Sequence, residues 1–251
     1  AQECTDQQEF TDQFDDAFYG LLSSNGIWEK STQSWFCSFK TEQVLPADGT
    51  LQLQVPAGGA TCGSIVSESG DFYYGSYRAS IKPAAESGVC GAFFLYNSDV
   101  QEIDVEILSQ EDSSLRRVHF VTQPSGFLPC GSAAHKCHDL PEQPSNGFHE
   151  YGFDWYPDRV EFYVDGQKVD ETTENIPAYP GHLILSNWAG NPQWTGPPPT
   201  STATMEVDYV TYKPFEYCPV CPGCGNGQVT MGEECDGASL AGWQCKDAGY
   251  M

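Results

Sequence analysis

The stretch Gln101-Glu102-Ile103-Asp104-Val105-Glu106-Ile107-Leu108 decides how the rest of the chain is read. Acids and β-branched residues alternate with the period of a β-strand. Glu102, Asp104 and Glu106 therefore share one face, and Ile103, Val105 and Ile107 share the other. Three like charges along one strand face repel each other. A strand that needed only to be soluble would mix in Thr, Ser or Lys. The plain alternative is a solvated acidic edge. Against it stands the upstream run Gly91-Ala92-Phe93-Phe94-Leu95-Tyr96, an aromatic-rich strand candidate that places the acids in a sheet interior beside aromatic rings.

The spacing suits a pair of cooperating carboxyl groups. At about 3.3 Å per residue, the Cα atoms of Glu102 and Glu106 lie roughly 13 Å apart. Side chains leaning inward on a concave strand can close that gap to the about 5–5.5 Å that a retaining glycosidase needs between nucleophile and acid/base. Asp104, between them, can hydrogen-bond the nucleophile and hold the two glutamate pKa values apart.

Working outward, Leu51-Gln52-Leu53-Gln54-Val55-Pro56 alternates as a half-buried strand and is ended by Pro56 and Gly58-Gly59. Further strand candidates are 64–67, 72–81, 115–121, 148–155, 159–166, 182–188 and 204–210. Pro157-Asp158 and Asp165-Gly166-Gln167 supply turns. The segment Phe10-Thr11-Asp12-Gln13-Phe14-Asp15 reads as a lead-in closing a sheet edge, and Trp28 and Trp35 as core, with a substrate platform as the alternative. Residues 122–147 read as a loop stapled by Cys130 and Cys137. His135, Cys137 and His138 have the composition of metal ligands, but a neighbouring cysteine favours a disulfide, so no metal site is assigned. No long segment has a helical period. Many short strands with turns every ten or so residues predict an all-β sandwich.

The chain has 251 residues, enough for one large β domain and a small appendage. Its formal charge is 11 − 35 = −24, which disfavours nucleic acid, anionic membranes and acidic polysaccharides as partners and is compatible with a neutral glycan. Eleven cysteines point to an oxidising compartment. No run of 18 apolar residues occurs, so no membrane span is expected. Beginning at Ala1, the chain reads as a mature secreted protein, extracellular or wall-bound, and as a monomer.

The acid stretch resembles the signature of family 16 glycoside hydrolases, Glu-aliphatic-Asp-aliphatic-Glu. The resemblance implies Glu102 as nucleophile, Asp104 as its assistant and Glu106 as acid/base. No residue is inserted between Asp104 and Glu106, a spacing similar to the lichenase, xyloglucan-active and fungal cell-wall transglycosylase branches and unlike the bulged motif of most laminarinases. The likeness extends over residues 60–213 through Tyr74-Gly75-Ser76-Tyr77, Ile81-Lys82-Pro83-Ala84, Gly147 to Trp155, Phe162 to Gly166 and Ile176-Pro177 to Asn187-Trp188. It implies a β-jelly roll with a concave binding sheet, no required cofactor and a structural calcium ion on the convex face. No loop here carries the Asp-x-Asp-x-Asp spacing of a self-contained calcium site.

By the same resemblance Phe94, Tyr96, Asn187, Trp188 and Trp194 are the substrate-binding candidates. The tract Asn187 to Pro199 reads as a Pro- and Gly-framed loop presenting two indoles to a sugar face. The alternative for Trp188 is packing into the end of the sandwich. The chain departs from the lichenase pattern in two places. Ser64 and Val66 stand where lichenases have a Glu and an Arg, and Val121 and Gln123 stand where they have an Asn and a Tyr. The machinery of acid and base carries over, but the sugar preference does not.

Composition changes after Phe215. A jelly-roll domain over 1–215 is followed by a cysteine-rich extension over 216–251. Five cysteines there, at 218, 221, 224, 235 and 245, cannot all pair internally, which suggests an extension cut before its last partner. The functional expectation is an endo-acting retaining hydrolase of neutral β-glucan, β-1,3 and/or β-1,4 linked. The alternatives are a cell-wall transglycosylase on the same fold and, behind it, a non-catalytic glucan-binding lectin. Three intact acids argue against the lectin.

Overall fold

In the computed structural model the described residues are 9–14, 28–32, 36–47, 49–126 and 128–215. They form strands β1 (Phe10–Gln13), β2 (Trp28–Lys30), β3 (Ser38–Phe39), β4 (Val44–Ala47), β5 (Thr50–Val55), β6 (Thr61–Ser67), β7 (Gly75–Lys82) and β8 (Cys90–Ser98). These are followed by β9 (Gln101–Leu108), β10 (Arg117–Thr122), β11 (His135–Asp139), β12 (His149–Trp155), β13 (Val160–Val164), β14 (Gln167–Thr172), β15 (His182–Trp188) and β16 (Ala203–Pro214). The first sheet runs β14-β13-β12-β7-β16-β5-β4, with β1 also on β16. The second runs β11-β10-β9-β8-β15-β6-β2, with β3 alongside β6. No helix of the described residues is long and apolar enough to cross a membrane.

The period-two pattern explains the sandwich. On β9, Ile103, Val105 and Ile107 are buried between the sheets, as are Phe93 and Leu95 on β8 and Leu183 and Leu185 on β15. Phe120 stacks on Phe162 at 4.7 Å, and Phe93 lies 5.9 Å from Phe153, so rings of the two sheets interlock. Each such buried side chain stabilises the fold by roughly 1.5–3 kcal/mol. Trp28 is fully buried and donates through Nε1 to Asp12 Oδ2 at 2.9 Å, fixing β2 near the lead-in strand β1. The β13–β14 turn takes positive φ at both Asp165 and Gly166, as a tight hairpin requires.

Two disulfides join described residues, Cys37–Cys62 and Cys130–Cys137. The first ties the approach to β3 onto β6 across a Cα separation of 6.1 Å. The stretch 122–147, read as a loop, contains an edge strand, β11, paired antiparallel with β10. Its sequence His-Lys-Cys-His-Asp lacks apolar alternation, so only pairing reveals it. The hairpin strand β14 was hidden for the same reason. The residues Glu9–Lys213 cluster as one compact unit. The cysteine-rich extension 216–251, Trp35 and Asp15 lie outside the described residues.

Candidate active site

Register assembles the site. β9 lies between β8 and β10, so its acids occupy a sheet interior. Tyr96 is paired with Glu102, Phe94 with Asp104 and Ala92 with Glu106. On the other side, His119 faces Glu106 and Val121 faces Asp104. Because Ile103, Val105 and Ile107 point between the sheets, all of these side chains stand on the outer face of the second sheet.

Two of the carboxyls are bound to each other, and the third is bound to neutral donors. Glu102 and Asp104 share a side-chain hydrogen bond. Gln123 Nε2 donates to Asp104 Oδ2 at 3.0 Å. Glu106 accepts from the Trp194 side chain and, at 3.4 Å, from the Cys90 thiol. Burial raises all three carboxyls. Asp104 is pushed up to about 7 by burial, against the lowering pull of the Gln123 and Glu102 hydrogen bonds. Glu106 is pushed up to about 8 by burial and then by the Asp104 charge. Glu102 is raised furthest, by burial first and then by Asp104, Glu106 and Asp99. Glu102 and Asp104 therefore titrate as a pair.

Trp194 stands over this face. Its ring centroid is 5.0 Å from that of His119 and 5.8 Å from that of His135. The segment that carries it is held at several points. Gln110 Nε2 donates to the Trp194 carbonyl, and the amides of Trp194 and Thr195 donate to Asn191 O. Glu86 Oε1 accepts from Thr200 N, Thr200 Oγ1 and Ser201 N. Gly88, at φ 111°, passes so close to Pro197–Pro199 that a Cβ there would lie 2.7 Å from Pro199 N.

Two candidates are placed otherwise than expected. Asn187 pairs with Gly91, one step out of phase with the acid face, and is fully buried. Its Nδ2 donates to Leu53 O at 2.9 Å and Ala203 O at 3.1 Å, so it ties the two sheets together rather than reaching a sugar. Trp188 is the last residue of β15, not a loop indole. It is 4% exposed, packs with Cys37, Cys62, Cys90 and Leu108, and stacks on Phe36 at 5.3 Å. Its register partner is Cys90, so it shares the parity of Ala92 and Glu106 and stands on the acid face, covered there by Phe36. Phe94 and Trp194 are half-buried against the same cluster. The Tyr96 hydroxyl donates to Asp99 Oδ1 at 2.9 Å.

Three residues at the acids were not singled out for this site: Cys90, His119 and Gln123, the last noted only as a departure. His119, Val121 and Gln123 share one parity beside β9, a signal available once β10 is registered. Of the other departures, Ser64 is buried, with its hydroxyl on Leu185 O at 3.0 Å.

Two antiparallel sheets with a carboxyl trio on one outer face define a jelly-roll protein with a carboxylate site. The chain belongs to glycosyl hydrolase family 16, whose family model matches residues 31–211. A β-glucanase of Acetivibrio thermocellus is 31% identical over 207 residues, covering 74% of this chain and 59% of that protein's own length. The chain thus spans less than two thirds of that relative. A lichenase solved from a mouse hindgut metagenome is 26% identical at a TM-score of 0.69, covering 83% of this chain and all of that one. A transglycosylase solved in its apo form shares the fold at a TM-score of 0.66 and 22% identity, covering 83% of this chain and 85% of that one.

Proposed function

We propose that this chain is a secreted, endo-acting glycoside hydrolase that cleaves neutral β-glucan with retention at the anomeric carbon. The observation that carries this reading is the trio of carboxyls on one outer sheet face, Glu102 hydrogen-bonded to Asp104 and Glu106 beside them, flanked by Phe94, Tyr96 and Trp194. The Glu102–Asp104 pair holds one proton, which rests on Glu102 and passes to Asp104 across their hydrogen bond. Glu102, freed as the carboxylate, forms a bond to the anomeric carbon while the glycosidic bond breaks. Glu106, protonated over much of the pH range, gives its proton to the leaving oxygen. Its carboxylate then takes a proton from water, whose oxygen displaces Glu102. Asp104, held by Gln123, keeps the nucleophile oriented. The ring faces of Phe94, Tyr96 and Trp194 suit the C–H faces of uncharged sugars.

Among the described residues the acid, histidine and cysteine side chains converge as a possible ligand group at His119, His135 and Cys137, and the calcium implied by the resemblance is assigned no ligands. A second reading, transfer to a sugar hydroxyl instead of water, shares the covalent intermediate. It is motivated by the tract Asn187 to Pro199, which resembles fungal members of the family that include cell-wall transglycosylases. Incubating the protein with defined β-glucan oligosaccharides separates the two readings, because products longer than the donor mark transfer. Glu102→Gln tests both. Loss of the nucleophile lowers turnover at least about a thousandfold in a folded protein, and activity within about tenfold of wild type sinks the assignment.

A further inference from the structure

The outer face beside the acids carries a second constellation. His119 Nδ1 and His135 Nε2 lie 2.9 Å apart, and Cys137 Sγ is 3.4 Å from the first and 3.7 Å from the second. All three donors fall within 4.8 Å of one another. Both histidines are at least nine-tenths buried. The cause is register: His119 pairs with Cys137 and Val121 with His135, so the three side chains share one parity on adjacent strands.

Each histidine uses its other nitrogen in a way that fixes its tautomer. His135 Nδ1 faces Leu128 O at 2.8 Å, and a carbonyl only accepts, so Nδ1 carries the proton and Nε2 is a lone pair aimed inward. His119 Nε2 faces Glu111 Oε2 at 2.8 Å. With Glu111 a carboxylate, that nitrogen is protonated and Nδ1 is the second inward lone pair. Two lone pairs 2.9 Å apart cannot bond each other. Closing the chain from Glu111 through both rings to Leu128 would take one proton more than two neutral imidazoles hold. A cation between the rings removes that demand. The outer contacts, a carboxylate behind one histidine and a backbone carbonyl behind the other, are those that orient metal-bound histidines. Zn–N of about 2.0–2.1 Å and Zn–S of about 2.3 Å in a tetrahedron set N···S near 3.6 Å, matching the 3.4 and 3.7 Å found, and N···N near 3.3 Å, so the two rings part by about 0.4 Å to admit the ion.

We infer that His119, His135 and Cys137 form a binding site for a soft divalent cation of the zinc class in the thiol form of the Cys130–Cys137 pair. The disulfide and the metal are alternatives, because a sulfur in a disulfide carries no charge to donate. Passing from the disulfide consumes two equivalents of a small thiol, which leave as their own disulfide; each cysteine sulfur gains a proton and the pair gains two electrons. Metal binding then breaks the Cys137 S–H bond, forms the metal–sulfur bond and releases the proton to solvent. Water can take the fourth position. The bound ion fastens the edge strand β11 to β10, beneath Trp194.

Cys130→Ser tests this in the full chain, since it prevents the disulfide without any reductant. After metal removal, titration with Co²⁺ is expected to show one equivalent with the absorption of a tetrahedral cobalt–thiolate site, and that equivalent is expected to vanish in Cys130→Ser/Cys137→Ser. The cysteines at 218–245 are the same in both proteins and give a common background. Equal cobalt uptake by the two variants overturns the site. X-ray absorption on zinc-loaded Cys130→Ser gives a check that needs no second variant. Nitrogen and sulfur in the same shell are expected, and an all-sulfur shell overturns the proposal. Replacing His119 and His135 together by Ala in Cys130→Ser is expected to abolish the equivalent, and its survival in a protein of unchanged circular dichroism also overturns the assignment.

Discussion

Glu106 sits where burial, a neighbouring carboxylate and two donors meet, and its pH behaviour follows from their signs. Its folded-state value of about 8 lies above the ordinary 4.5. The folded protein keeps a proton that the unfolded chain has already released. The stability from this group is complete below about 4.5 and is lost as pH rises through about 8. Glu106→Gln should therefore melt close to wild type in acid and several degrees above it at alkaline pH. Melting curves recorded across that range test this, and a gap that does not widen with pH contradicts it. Trp194→Phe keeps a ring and removes the donor that favours the Glu106 carboxylate, so the alkaline limb of kcat/KM should move to higher pH. An unmoved limb means that the indole N–H does not act on Glu106. The acids themselves were readable from eight residues because their alternation is uninterrupted. Cys90 and Gln123 were not, since each reaches its carboxyl only through a register that no local pattern encodes.

At the scale of elements, β15 shows where reading by periodicity stops. His182-Leu183-Ile184-Leu185-Ser186-Asn187-Trp188 is apolar on both faces at its centre, so its phase is not visible until Ser186 is set against Ala92 and Asn187 against Gly91. That phase turns Asn187 inward and lays Trp188 under Phe36. The consequence for mutants is definite. Trp188→Ala should cost about 3–5 kcal/mol, as for other buried indoles, and Asn187→Ala about 1–3 kcal/mol, through the unpaired carbonyls of Leu53 and Ala203. Denaturant unfolding measures both. A Trp188→Ala protein that melts like wild type yet binds glucan poorly would restore the indole to the binding surface. The edge strands β11 and β14 escaped sequence reading for a related reason: they are strands by partnership, with little apolar alternation of their own.

For the whole molecule, 35 acids against 11 bases set the field around the site, and the proposed function gives that site an uncharged sugar. Raising salt shortens the Debye length from about 30 Å at 0.01 M to about 3 Å at 1 M. KM for a neutral β-glucan should stay level over that range, while KM for its carboxymethylated form should fall as repulsion is screened. Parallel titrations decide it, and a neutral substrate whose KM climbs steeply with salt would point to a charged recognition element. The segment bearing Trp194 is held by Gln110, Asn191 and the Glu86 clamp, with Gly88 pressed beneath Pro197–Pro199. Such a wall has little slack to swing. On the proposed function, a polymer strand would meet a surface already cut to shape, and bond exchange or the departure of the cut ends, rather than a swing of this segment, would set the tempo of the cycle.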